Sequence, residues 1–228
     1  MLKTIFLDLD DTILDFTRAE AEALRKTLAE MDAPADSGIL SRYHAINAAQ
    51  WELLEEGILT RQQVMVGRFD ILFKELGLDR SAKRTCERYE SHLAEGHWFI
   101  PGAEALLEAL FPRYDLYLAS NGAPEVQHRR MESAGISRYF RKMFISQELG
   151  ADKPNPAFFE KCFSAIPGFS REAALIVGDS LTSDIRGGRN AGIRTCWFNP
   201  HKRPSRPDIV PDYEITALEQ LPPLLETL

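Results

Sequence analysis

Lys3-Thr4-Ile5-Phe6-Leu7-Asp8-Leu9-Asp10-Asp11-Thr12 is the stretch on which the fold turns. Ile5, Phe6 and Leu7 form a short apolar run of β-branched and aromatic character, which predicts a strand buried on both faces, as in a parallel sheet. The run ends abruptly in carboxylates. In an open α/β sheet ligands bind outside the carboxyl ends of the strands, so Asp8 and Asp10 emerge where chemistry is usually done. They are two residues apart, and on extended backbone their side chains point the same way. Carboxylates this close repel one another unless a cation, a shared proton or a partner intervenes, and Mg²⁺ is the simplest remedy. The competing reading is a strand followed by an acidic, solvated turn, because Asp is common in turns and at helix caps.

Outward from Thr12 the period changes from strand to helix. Ala21, Leu24, Leu28 and Met31 fall at three- and four-residue spacings and give one apolar helical face that stops before Pro34. A second helical stretch runs from Ile39 to Leu54 and closes at Gly57. Thr60, with Gln63 three residues on, caps a third that ends before Gly77, and Asp79 or Ser81 starts a fourth reaching about Glu95. No strand signal appears between roughly Asp15 and His97.

At Pro101-Gly102 the pattern changes again. Strands at Tyr114 to Ala119, Met143 to Ile145, Ala173 to Val177 and Thr195 to Phe198, and a last one from Tyr213, alternate with helical segments. That alternation predicts a parallel sheet with right-handed crossovers. The fold class is therefore α/β, a doubly wound parallel sheet with an inserted helical cap domain. Residues 1–15 and 98–228 form the core and residues 16–97 the cap. A cap inserted just after the first strand is expected to sit over the strand ends, exclude water and choose substrates.

The chain has 228 residues, ample for a large core, and a formal net charge of −7, which argues against a nucleic-acid polymer or a membrane surface as the main partner. Cys86, Cys162 and Cys196 stand far apart and in no C-x-x-C pair, so they read as small buried hydrophobes rather than as disulfides or zinc ligands. The amino terminus shows no basic segment leading into a long apolar one, and no stretch approaches the ~20 apolar residues that span a bilayer. A cytoplasmic location is expected.

Further features fall where core strands end. Ser120-Asn121-Gly122 precedes Pro124 at a helix start, and a hydroxyl, loop amides and a helix N-terminus together suit a phosphate, although Ser-Asn-Gly is also an everyday turn. Lys153 stands before Pro154, ahead of a helix; a lone lysine is otherwise a solvated charge. Gly178 lets the chain turn tightly after its strand, and Asp179 and Asp184 would complete an oxygen-rich site fit for Mg²⁺. Read singly, Asp179 and Asp184 are a helix cap and a favourable charge at a helix start. Separate explanations do not account for all of these groups falling at one edge of one sheet.

Taken in order, Asp8-Leu9-Asp10-Asp11-Thr12, Ser120, Lys153, and Gly178-Asp179 with Asp184 resemble the four motifs of the haloacid-dehalogenase superfamily, and the helical insert resembles its first cap type. The resemblance spans essentially the whole chain and implies a Rossmann-like core. It also implies phosphoryl transfer, because the phosphatases of this superfamily carry the second acid, here Asp10, and the dehalogenases lack it. By this likeness Asp8 is the nucleophile. Asp10, kept protonated by crowded anionic surroundings, is the acid and base. Thr12, Ser120, Asn121 and Lys153 receive the phosphate, with Thr12 also orienting the acid pair. The implied metal set is Asp8, the Asp10 main-chain carbonyl, Asp179 and Asp184, the last acting mainly through water or Lys153. Trp51, Gly57, Thr60 and Gly67-Arg68-Phe69, with Asn190-Ala191-Gly192 and Thr195-Cys196-Trp197-Phe198-Asn199, further resemble the bacterial pyrimidine 5′-nucleotidases.

The expectation is a Mg²⁺-dependent 5′-nucleotidase that takes a small phosphomonoester through an aspartyl-phosphate. Tyr43, Asn47, Trp51, Arg68 and Phe69 are the cap residues that could contact a base, against packing within the helical bundle as the alternative. Two rivals stand beside this reading. One is a sugar-phosphate or phosphoglycolate phosphatase or mutase on the same core. The other is a receiver-like signalling module, which also gathers acids, a hydroxyl and a lysine at strand ends but is compact and lacks a large insert.

Overall fold

Ile5-Phe6-Leu7 lies in β1 (Thr4–Leu7), buried at every position, in a computed structural model that describes residues 1–228. Helices α1 (Phe16–Glu30), α2 (Ser37–Glu55), α3 (Arg61–Leu76) and α4 (Ala82–Leu93) follow, then α5 (Ala103–Leu110), β2 (Asp115–Ser120), α6 (Pro124–Ser133) and β3 (Lys142–Ile145). Next come α7 (Ser146–Leu149), α8 (Pro156–Ser164), β4 (Ala174–Gly178), α9 (Arg186–Asn190), β5 (Arg194–Phe198), β6 (Tyr213–Ile215) and α10 (Leu221–Leu225). The chain divides into two compact units, one of Met1–Asp15 with Trp98–Leu228 and one of Phe16–His97.

The first unit holds a six-stranded sheet in the order β3-β2-β1-β4-β5-β6, every neighbouring pair parallel. The chain travels outward from β1 to β3, returns to the other side of β1 at β4, and travels outward again. The reversal lies between β1 and β4, where a doubly wound sheet opens its ligand crevice. Leu7 stands in register with Val177, and the Asp8 amide donates to the Val177 carbonyl at 3.0 Å. The residues after β1 and β4 therefore leave the sheet side by side.

Alternate residues of each strand feed two cores. Ile5, Leu7, Leu116, Leu118, Leu175 and Val177 face α5 and α10, whereas Phe6, Tyr117, Phe144 and Ile176 face α8. Burial on both faces explains the unbroken apolar runs of the central strands. Phe6 alone, with ring centroids 5.7 Å from Tyr117 and 6.0 Å from Phe163, contributes about 1.5–3 kcal/mol by burial.

In the second unit α1 packs on α4 and α2 on α3. Thr60 and Gln63 form a reciprocal capping box on α3, and Gly77 ends it in the left-handed conformation. Ser81, not Asp79, caps α4, and Asp36 starts α2 two residues ahead of Ile39 by accepting from the Gly38 and Ile39 amides. In the first unit, the chain between β4 and β5 begins as a wide π turn over Leu181–Ile185 before α9. The four-residue α7 carries too short a period to be read from sequence. All three cysteines are buried and unpaired.

Candidate active site

Every strand that borders the crevice delivers a polar group to it. Asp8 follows β1, Ser120 ends β2, and Gly178 ends β4 with Asp179 directly after it. The π turn then folds Asp184 back toward β4, where its Oδ2 accepts from the Ser180 amide at 3.1 Å. A Cβ on residue 178 would lie 2.1 Å from Asp184 Oδ2, so glycine there is what lets the carboxylate reach the strand end. Asp8, Asp179 and Asp184 each offer a ligand atom, all within 4.8 Å of one another. These are hard oxygen donors, the chemistry that Mg²⁺ requires, and the set fits such an ion.

Lys153 is buried among these acids. Its three ammonium hydrogens meet Asp8 Oδ1 at 2.7 Å, Asp184 Oδ1 at 2.6 Å and the Ala119 carbonyl at 2.6 Å. Asn121 grips the same residue through its main chain, accepting from the Lys153 amide and donating to its carbonyl, both at 2.9 Å. Burial raises the Asp8 carboxyl well above the usual carboxylate range; the Lys153 charge opposes this while Asp184 and Asp10 add to it. Burial likewise pushes Asp179 up to about 8, with Asp11 and Asp184 adding and Arg203 opposing. The Lys153 ammonium is pulled down by burial, yet Asp184 and Asp8 outweigh that, and the net direction is up.

Asp10 points elsewhere. One carboxylate oxygen accepts from Gln127 Nε2 at 2.7 Å and the other from Arg130 Nη1, both donors on α6 and both buried. Asp11 takes a left-handed conformation, φ 54°, which Asp tolerates better than most residues, and the chain turns there. The N-terminus of α6, directly after Ser120-Asn121-Gly122, has no side-chain cap, so its first amides remain suited to an anion.

Residues 2–192 match the haloacid dehalogenase-like hydrolase family. The chain belongs to that family. It is 42% identical over 219 residues to the HAD-hydrolase YfnB of Bacillus subtilis (strain 168), covering 96% of this chain and 93% of YfnB. It is 39% identical to the pyrimidine 5′-nucleotidase PynA of Streptococcus pneumoniae (strain ATCC BAA-255 / R6), with 96% and 93% covered. To the pyrimidine 5′-nucleotidase YjjG of Escherichia coli (strain K12) it is 31% identical, with 97% and 96% covered. A crystal structure of YfnB bound to magnesium superposes with a TM-score of 0.95 at 41% identity, covering 98% of both chains. The protein is thus a hydrolase of the haloacid dehalogenase-like family, and its parallel sheet is that family's Rossmann-like core.

Within this hydrolase several expected roles change. The Thr12 hydroxyl is fully buried and makes no hydrogen bond, so it does not orient the acid pair; Gln127 and Arg130 hold Asp10 instead. The surroundings of Asp10 are not simply anionic, since a guanidinium lies against it. The Asp10 carboxylate is outside the acid cluster, which leaves only its main chain for a metal. The Asn121 side chain is committed to Lys153 rather than open to a phosphate.

In the helical unit Tyr43 and Phe69 are fully buried and pack on each other with centroids 5.1 Å apart, beside Tyr89, so they are core residues. Asn47 and Arg68 are also buried, joined at 2.9 Å and tied through Asn47 to Glu20. Trp51 donates to Asn47 at 3.0 Å and is the one member of that expected set that keeps partial exposure.

The sequence reading missed four residues of this site. Gln127 and Arg130 lie three apart on one helix face just after Ser120, a spacing that could have flagged them. Trp197 donates to the Asp179 carbonyl at 2.8 Å and Arg203 pairs with the Asp179 carboxylate at 3.2 Å. Nothing local marked either as a partner of Asp179, because β5 and the following loop reach it only through the fold.

Proposed function

We propose that this hydrolase is a Mg²⁺-dependent phosphatase of nucleoside 5′-monophosphates, working through an aspartyl-phosphate. The observation that carries the reading is the second acid. A halide departs as a stable anion, whereas an alkoxide needs a proton as it leaves, and Asp10 stands two residues from Asp8 with its carboxylate held by fixed donors. The nucleotide specificity rests on likeness to PynA and YjjG over nearly the full chain.

Phosphate-monoester hydrolysis is among the slowest uncatalysed reactions, and a covalent route splits its barrier. An Asp8 carboxylate oxygen attacks phosphorus, the bond from phosphorus to the ribose oxygen breaks, and that oxygen takes the Asp10 proton. Asp10 then accepts a proton from water as the water attacks phosphorus and the bond to Asp8 breaks. That proton restores the acid for the next cycle. Asp8, Asp179 and Asp184, with the Asp10 carbonyl, would hold Mg²⁺, which when bound offsets charge on the phosphoryl oxygens. Lys153, the Ser120 hydroxyl and the first amides of α6 meet the remaining charge.

A panel of monophosphates with and without EDTA tests this. UMP, dUMP and dTMP should turn over many times per chain with Mg²⁺ and not with EDTA. Faster turnover of 2-phosphoglycolate or a hexose phosphate would overturn the nucleotide specificity. A single long-lived phosphoryl group per chain would overturn the phosphatase reading.

A further inference from the structure

We propose that Gln127 and Arg130 are positioning residues that fix the orientation of Asp10 and commit Ser120 to donating its hydroxyl proton; the inference rests on the phosphatase reading above. The hydrogens can be followed atom by atom. Gln127 Nε2 has two, one directed at Asp10 Oδ2, 2.7 Å away, and one at Ser120 Oγ, 2.8 Å away. Gln127 Oε1 accepts from Arg130 Nη1 at 3.1 Å, and the same Nη1 donates to Asp10 Oδ1. The opposite amide orientation would set Oε1 against a carboxylate and Nε2 against a guanidinium, so charge on both sides fixes the one described.

Ser120 Oγ then accepts twice, from Gln127 and from the Gly122 amide at 3.0 Å. Both acceptor positions are filled, and the hydroxyl can add only a donated hydrogen bond. A phosphoryl oxygen, which offers lone pairs alone, is the matching partner. Gly122 belongs to the same device, because a Cβ there would lie 2.2 Å from Gln127 Nε2. Gln127 and Arg130 are 1% and 0% exposed, and a buried guanidinium is costly unless paired. Here its pair is the acid at the reacting centre. Held through both oxygens, Asp10 keeps a remaining lone pair at a defined position, where it carries the proton passed to the leaving group and regained from water.

The test separates positioning from general support of the fold. p-Nitrophenolate leaves without a proton and a ribose alkoxide does not, and kcat/KM reports only the steps through leaving-group departure. Arg130→Met is expected to lower kcat/KM for UMP by about 10²-fold and for p-nitrophenyl phosphate by less than about fivefold. It should also give a burst of about one p-nitrophenolate per chain, because the phosphoenzyme breaks down slowly. Arg130→Lys, which keeps a cation beside Asp10, should recover most of the UMP rate. Gln127→Leu carries the same comparison if Arg130→Met does not fold, as judged by circular dichroism and melting. Equal losses on both substrates in folded variants, with no burst, would overturn the positioning role while leaving the phosphatase reading intact. A wild-type protein inactive on both esters would overturn both.

Discussion

Replacing Lys153 by Met tests the electrostatics of the site directly. The ammonium satisfies Asp8, Asp184 and the Ala119 carbonyl, and no other cation touches both carboxylates. Met keeps the stem and removes the charge. With ligand atoms no more than 4.8 Å apart, two carboxylates at an effective dielectric of 20 repel by about 3 kcal/mol or more. Removing one member of a buried ion pair costs about 3–5 kcal/mol in all. For a chain of this length that lowers Tm by about 10 °C. The assay is urea and thermal unfolding of both proteins at pH 7.5 in EDTA, repeated at pH 5 and with Mg²⁺. Because burial already raises Asp8 and Asp179, their protonation on going to pH 5 should shrink the deficit, and Mg²⁺ should stabilise the variant more than the parent. A variant as stable as the parent at pH 7.5 in EDTA would refute the reasoning.

Three further outcomes are expected. Asp8→Asn should abolish turnover of every phosphomonoester while circular dichroism and melting show a folded protein; substantial residual activity would mean the nucleophile is misassigned. Gly178→Ala, whose methyl would strike Asp184, should weaken Mg²⁺ binding by about 10–100-fold in a thermal-shift titration, an effect of displacing a ligand's support. Without metal, stability should fall as pH rises from about 4 to about 8. Across that interval folded Asp179 keeps a proton that the unfolded chain, with its carboxyl near 3.8, has lost. The slope is at most about 1.4 kcal/mol per pH unit for one proton, and Asp179→Asn should flatten it.

Much of the core fold is local in origin, which is why the sequence discloses it. Continuous apolar runs at β1 and β4 follow from burial on both faces, and the capping box at Thr60 and Gln63 is a contact three residues long. The candidate site is legible for a related reason. In a doubly wound sheet each strand end is a fixed address, so Asp8, Ser120 and Asp179 can be placed together once the strands are known. Side-chain partnership is not local. Tyr43 and Phe69 have the composition of a base-binding surface and the position of a core, and only packing separates the two.

Asp10 shows where that line falls. That a second carboxylate follows Asp8 by two residues, and that it lies at the mouth of a parallel sheet, were determined by the order of residues alone. Which groups hold that carboxylate was decided by the crossover from β2 into α6, which carries Gln127 and Arg130 to it from 117 and 120 residues away. A chain encodes periodicity within each element, but charges pair across space, and the partner of a buried ion is known only when the elements are packed.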